Sequence, residues 1–148
     1  AVRKWNLKPL GKIIDSQWAG LDPALMGLGP VHAATPILQR HGLGLNDLDA
    51  WEINEAFAAQ VIGCLEAWKS DDYCRTELGL PGALGALDEN KMNVDGGAIA
   101  IGHPVGASGA RIVLHLLHVL REKQAKRGIA AICIGGGLGG AMLIEAGA

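Results

Sequence analysis

From Lys12 to Glu145, short runs patterned like strands alternate with longer runs patterned like helices, an order that few folds accommodate. Lys12-Ile-Ile-Asp-Ser-Gln-Trp18 alternates weakly and reads as a strand. Asp22-Pro and Met26-Gly-Leu-Gly-Pro30 form a turn-rich loop. A helix follows, starting either at Pro30 or at the pair Thr35-Pro36, where threonine would cap and proline would take the first helical position. It stops at Gly42. Residues 50–54 form a short strand and residues 55–68 a helix, whose apolar face holds Phe57, Val61, Cys64, Leu65 and Trp68. Residues 70–90 are a polar excursion with little periodicity. Met92-Asn-Val94 is a brief strand, a helix runs from about residue 108 to 123, and residues 128–134 and 141–145 are strands on either side of a glycine turn. This βαβαβαββ order predicts an α/β fold, a mostly parallel sheet covered on both faces by helices, with the last strand antiparallel.

At 148 residues the chain fits one domain with a real core. It carries 19% charged residues and a net charge of −2, so nothing draws it toward nucleic acid. The longest apolar run, around residues 112–120, is broken by His115 and His118, which excludes a membrane span there. The start shows no signal-peptide pattern. Three cysteines, Cys64, Cys74 and Cys133, are odd in number and widely spaced, which argues against a disulfide framework and for a reducing, cytoplasmic setting. The opening Ala1-Val-Arg-Lys-Trp5 has no methionine, as expected of a piece of a longer protein.

Three segments place polar groups where a core would not want them. Asn54-Glu55-Ala-Phe57 lies where a strand ends and a helix begins, the place at which α/β sheets bind ligands. Equally, Asn54 could cap that helix and Glu55 could favour its positive end. The stretch from Asp95 to Arg111 has glycines at 96, 97, 102, 106 and 109, with Gly102-His103-Pro104 at its centre. Glycines at this density point to unusual backbone or to close approach of a ligand, and the proline holds His103 extended. Imidazole moves protons near neutral pH, so His103 is either a catalytic base, an oxyanion partner or an inert structural histidine. A phosphate cradle fits less well, because the spacing is neither that of a P-loop nor that of a dinucleotide fingerprint. Cys133-Ile-Gly-Gly-Gly-Leu-Gly-Gly140 ends an apolar strand in a cysteine and then strips the backbone of side chains. Bare N–H groups there can hold a developing oxyanion, although a free cysteine is most often a small buried hydrophobe. Arg111, His115, His118 and Glu122 recur at helical spacing, but a solvated helix face explains them and they lack the flanking motif of a zinc site.

Taken together and in this order, Asn-Glu-Ala-Phe, Gly-His-Pro and Cys-x-Gly-Gly-Gly-x-Gly closely resemble the signatures of the C-terminal half of the thiolases. The segment from Asp22 to Val31 adds to the likeness, which covers nearly the whole chain. The resemblance implies a two-half enzyme in which residues 1–148 are the second half, with a five-stranded mixed sheet. It implies reversible thiolysis or Claisen condensation of 3-ketoacyl-CoA, with acetyl-CoA and coenzyme A as the other substrates and no covalently held cofactor or metal. His103 would activate a nucleophilic cysteine that lies in the N-terminal half and is absent here. Cys133 would exchange a proton with the α-carbon. Asn54 would hold a water in one oxyanion hole, the N–H of Gly135 would serve another, and Met26 and Phe57 would line the pantetheine and acyl pocket. A homodimer or homotetramer acting in fatty acid metabolism, β-oxidation included, is implied as well.

Each role suits the residue. A thiolate nucleophile needs a base, and proton transfer at carbon needs an acid–base group beside donors for an enolate oxygen. A lowered thiol pKa at Cys133 would suit that task. With half of the site missing, these residues alone are expected not to turn over. A thiolase-like protein that binds acyl-CoA or lipid, or that scaffolds an assembly, is the rival reading, although it need not retain both His103 and Cys133. The surface that meets the other half is expected to be exposed and apolar.

Overall fold

The structure, a computed structural model, describes residues 1–147. Its strands are β1 (Gly11–Gly20), β2 (Ala50–Ile53), β3 (Arg127–Ile134) and β4 (Leu138–Ala146). The principal helices are α1 (Gly29–His41), α2 (Ala58–Lys69) and α3 (Val105–Glu122), with a 3-10 helix at Pro23–Leu28 leading into α1. The sheet order is β1-β4-β3-β2. Strands β2 and β3 run parallel, while β4 is antiparallel to both of its neighbours.

The period-two pattern of the strands divides the sheet into two faces. Trp51, Ile53, Ile129, Ala131 and Leu143 pack with α1 and α2 in the larger core. Ala50, Ala130 and Ile144 point the other way, onto Ile112, Leu116, Val119 and Leu120 of α3. Those α3 residues recur every three or four positions, so one stripe of the helix covers the sheet. Helices therefore lie on both faces, as the element order predicts.

The fifth strand is reduced to a single parallel bridge between Trp51 and Met92. Asn93 adopts a left-handed backbone, φ 46°, that no strand can continue through. Its side-chain amide takes over the edge instead. Ile53 N–H donates to Asn93 Oδ1 at 2.9 Å, and Asn93 Nδ2 donates to the Ile53 carbonyl at 2.9 Å.

The starts of two helices differ from the sequence reading, residues 70–90 hold an unexpected short helix, and of the two starts open for α1 the structure takes the one at Pro30. Helix α1 starts with Pro30 in its first turn and contains Pro36; Thr35 is buried and accepts a hydrogen bond from Trp68 Nε1 at 3.1 Å instead of capping. It ends at Gly42, φ 60°, as expected of a left-handed stop. Helix α2 begins at Ala58, so Phe57 is an extended residue that is 65% exposed and outside the apolar face. Helix α3 begins at Val105, ahead of Ser108. Within residues 70–90, Asp71–Thr76 forms a short helix that buries Cys74 and is capped by Ser70, whose Oγ accepts from Tyr73 N–H at 3.2 Å.

Two glycine contacts bring the site together. Gly29 at the start of α1 and Gly139 on β4 pass so close that neither has room for a Cβ. The β3–β4 turn is Gly135-Gly136-Gly137, with φ of 90° and 81° at Gly136 and Gly137, conformations that require glycine.

Candidate active site

Strands β2 and β3 end side by side, and the Asn54 N–H, one residue past β2, donates to the Ala131 carbonyl at 2.9 Å. Cys133 lies near the end of β3. Ligands in parallel α/β sheets bind at such carboxyl ends because the connecting loops diverge there. The loop between Asp95 and Pro104 folds over this edge and delivers His103.

The hydrogen bonds around His103 define its tautomer. Its Nδ1 lies 2.7 Å from Ser108 Oγ, and that hydroxyl donates to the Pro104 carbonyl at 3.2 Å. With its proton committed, Ser108 accepts from Nδ1–H, so the neutral ring carries a bare Nε2. Asn54 Nδ2 approaches that nitrogen at 3.4 Å, a long and weak contact. Asn54 Oδ1 is buried with no partner among the described residues.

A cavity of ≈ 300 Å³ is lined by Met26, Phe57, His103, Val105, Cys133 and Gly135. Five of the six residues singled out from sequence thus share one space, and the sixth, Asn54, touches it through His103. Asn54 does not cap α2, whose N-cap is Phe57. A side chain added at Gly135 would meet nothing, so this glycine keeps the cavity open, whereas its two neighbours satisfy the turn. Met26 rides on the 3-10 helix, which Asp22 caps by accepting from Ala24 N–H at 2.8 Å.

Burial pushes the Cys133 thiol above its ordinary range. That corrects the expectation of a lowered value: the strand end withholds the solvation a thiolate needs. At neutral pH the group is a thiol, equipped to give a proton to a carbanion and to receive it back. Cys64 is pushed further, to about 12, chiefly by burial. Both Cys64 and Cys74 are closed inside the core, with no exposed surface.

Several functional contacts escaped the sequence reading. Glu55 does not serve the positive end of α2; its carboxylate accepts from Ile99 N–H at 3.0 Å and from Asn93 Nδ2 at 2.9 Å, tying down the histidine loop. Arg111 Nη1 donates to the Gly102 carbonyl at 2.6 Å. The stripe Arg111, His115, His118, Glu122 is not simply a solvated face either. His115 Nδ1 lies 2.8 Å from the buried carboxylate of Glu52, and its Nε2 lies 3.2 Å from Asp95. Buried Ser108 was legible only as a residue near the start of a helix. The position of Asn93, beside Ile53 and Glu55, had no sequence signal at all.

Residues 7–146 match the sequence profile of a family described as "Thiolase, C-terminal domain". The chain is 44% identical over 145 residues to the mitochondrial 3-ketoacyl-CoA thiolase of Rattus norvegicus, covering 98% of itself and 32% of that protein. It is 43% identical over 142 residues to the acetyl-CoA acetyltransferase of Syntrophomonas wolfei, covering 95% of itself and 32% of that protein. Among solved structures, human mitochondrial 3-ketoacyl-CoA thiolase in complex with CoA superposes with a TM-score of 0.82 at 42% identity, over 99% of this chain and 33% of that one. The acetyl-CoA acetyltransferase of Bacillus anthracis superposes with a TM-score of 0.80 at 39% identity, over 98% of this chain and 32% of that one. The chain spans about a third of the length of the curated relatives it matches.

Proposed function

Because the chain belongs to the thiolase family as its C-terminal domain, we propose that it supplies half of the active site of an acyltransferase acting on coenzyme A thioesters. The reaction is the reversible cleavage of a 3-ketoacyl-CoA by coenzyme A to acyl-CoA and acetyl-CoA. One observation carries the reading: a base, an acid and a bare glycine turn open on the same ≈ 300 Å³ cavity.

The atoms that line the cavity support the following roles. The bare Nε2 of His103 takes the proton of a thiol nucleophile contributed from outside these residues. The Asn54 amide and the Gly135 N–H receive negative charge that develops on thioester and enolate oxygens. The Cys133 thiol protonates the α-carbon of the departing acetyl group in cleavage, and as thiolate removes that proton in condensation. Met26 and Phe57 give the cavity an apolar wall for the acyl or pantetheine chain. Coenzyme A is a substrate here, not a resident cofactor.

Residues 1–148 form the second half of a two-half enzyme in this reading. Exposed apolar side chains support it: Trp18 on β1 is 66% exposed and Val105 on α3 is 79% exposed. A groove between β1 and α3 is lined by Trp18, Ile112, Val113, Ala130, Ile132 and Met142, a surface that suits a second domain. The intact protein assembles as a homodimer or homotetramer, works in fatty acid metabolism such as β-oxidation, and resides in the cytoplasm. Among the described residues no helix is long and apolar enough to cross a membrane.

The test is loss of acetoacetyl-CoA on addition of coenzyme A to the intact protein and to its His103→Asn and Cys133→Ala variants. Turnover by the intact protein that drops at least about 100-fold in both folded variants supports the assignment. Turnover that survives either substitution overturns that residue's role, and no turnover by the intact protein overturns the reading itself. Residues 1–148 by themselves, shown to be folded by circular dichroism, are expected to be inactive.

A further inference from the structure

Glu52 is the one charged residue of β2, and it is 4% exposed. It faces α3 from the same side of the sheet as Asn54, two residues on. A carboxylate buried in this way is costly unless paired. Among the described residues the hydrogen bond to it comes from His115 Nδ1, at 2.8 Å. The other ring nitrogen, Nε2, lies 3.2 Å from Asp95 Oδ2, at the head of the glycine-rich loop.

A neutral imidazole has a single N–H and can donate to only one of two carboxylates. Both contacts are satisfied when two protons are shared along the line Glu52–His115–Asp95, one at each contact. The charged groups that face this cluster are Glu52 from β2, Asp95 from the loop, and Arg111 from the preceding turn of α3. A small cavity of ≈ 80 Å³ is lined by all of these groups and by Asn54. Arg111 and His115 are four residues apart on α3, so they stand one above the other on one face. Arg111 holds the carbonyl of Gly102 at the far end of the loop, and His115 holds Asp95 at its start. The loop that leads into His103 is thus held at its start and at its end by two anchors on adjacent turns of one helix, while the ring itself rests on Ser108. Only the His115 anchor is backed by a buried carboxyl group.

We propose that His115 is a positioning residue for His103, locking the loop from Asp95 to Gly102 against α3 by bridging Glu52 and Asp95. His115 touches no reacting atom in this scheme. The proposal rests on the reading of the His103 pocket as an active site, but the clamp itself is measurable without turnover.

Replacing His115 alone would leave the buried Glu52 carboxyl group without its partner, so the main variant is Glu52→Leu with His115→Leu, which removes both ends of the pair together. The second is Asp95→Ala, which cuts only the outer contact at a side chain that is 58% exposed. Both are made in the intact protein and read by hydrogen exchange of peptides spanning residues 95–103, by thermal melting, and by acetoacetyl-CoA thiolysis. In both, exchange across the loop is expected to accelerate about tenfold or more while β3 and β4 peptides keep their protection. The expected kinetic signature is a fall in kcat of about tenfold with KM held within about twofold, since chemistry and not binding loses its alignment. Loop exchange within about twofold of wild type in either folded variant overturns the clamp. A rise in KM with kcat intact also overturns it, because the cluster would then act on binding. If wild type does not turn over, the functional reading fails, and the exchange data alone decide the clamp.

Discussion

Nδ1 of His103 donates to the hydroxyl of Ser108 across 2.7 Å, and the hydroxyl donates in turn to the Pro104 carbonyl at 3.2 Å. Ser108 lies in the first turn of α3 and is fully buried. A hydroxyl oriented in this way accepts and does not compete for the ring's other nitrogen. The base nitrogen facing the cavity is therefore selected by a residue that the substrate never meets.

Removing that hydroxyl leaves the ring free to take either tautomer and to tilt. Ser108→Ala in the intact protein is expected to lower kcat for thiolysis by about tenfold to 100-fold, with little change in KM. The split between kcat and KM, read beside thermal melting, checks that orientation is lost rather than binding or folding. A Ser108→Ala variant with wild-type kcat would show that the Asn54 side orients the ring instead.

Thiol chemistry should sort the three cysteines. Cys133 borders the open cavity, while Cys64 and Cys74 are sealed inside the core. With iodoacetamide at about pH 8, peptide mass spectrometry is expected to find Cys133 modified well before the other two. Burial raises Cys64 from its ordinary value of 9.0 to about 12 in the folded state. A raised folded value means that the stability linked to this thiol is complete below pH 9.0 and is lost as pH climbs toward about 12. Cys64→Ala should lower the melting temperature at neutral pH through the cavity it leaves, yet flatten the fall on the alkaline side. Equal labelling of Cys64 and Cys133 in the native protein would contradict this burial.

Periodicity carried the fold a long way because both cores are built from regular stripes. The spacing of Ile112, Leu116 and Val119 is enough to mark the buried stripe of α3, and an unbroken apolar run over residues 129–132 marks β3 as a strand covered on both faces. The site was legible for a related reason: glycines and polar groups at strand ends have no business in a core. Contacts set by a single residue's backbone or by a distant partner were hidden. Asn93 ends the expected fifth strand through a left-handed turn that many sequences could have avoided. The spacing of Arg111 and His115 reveals that they share a face. It says nothing of Glu52, 63 residues away, and so their stripe looked merely solvated.

Stability should depend sharply on the Gly29–Gly139 crossing. A methyl group on Gly139 would collide with three backbone atoms of Gly29, and backbone held by a helix start and a strand cannot yield as a side chain would. Gly139→Ala is expected to cost about 2–3 kcal/mol by overpacking. Gly20→Ala, where an added Cβ meets nothing, serves as the control and should be close to neutral. Thermal melts of the two variants side by side check this, and equal melting temperatures would mean that α1 shifts freely on the sheet.

The uncovered groove between β1 and α3 yields a prediction for residues 1–148 taken alone. Trp18 lies over Gly140, in contact with the spot where a Cβ would sit, and leaves most of its ring in solvent. Ile132 borders both this groove and the His103 cavity, so the apolar surface runs continuously from β1 to the site. Without a second domain over it, such a patch drives self-association. Sedimentation velocity should show residues 1–148 associating as concentration rises, and Trp18→Lys with Val105→Lys should shift them toward monomer. The same pair placed in the intact protein should instead weaken the joint between its halves, lowering the melting temperature and thiolysis together. If residues 1–148 stay monomeric at all concentrations, or if the pair leaves the intact protein unchanged, the groove does not face the other half.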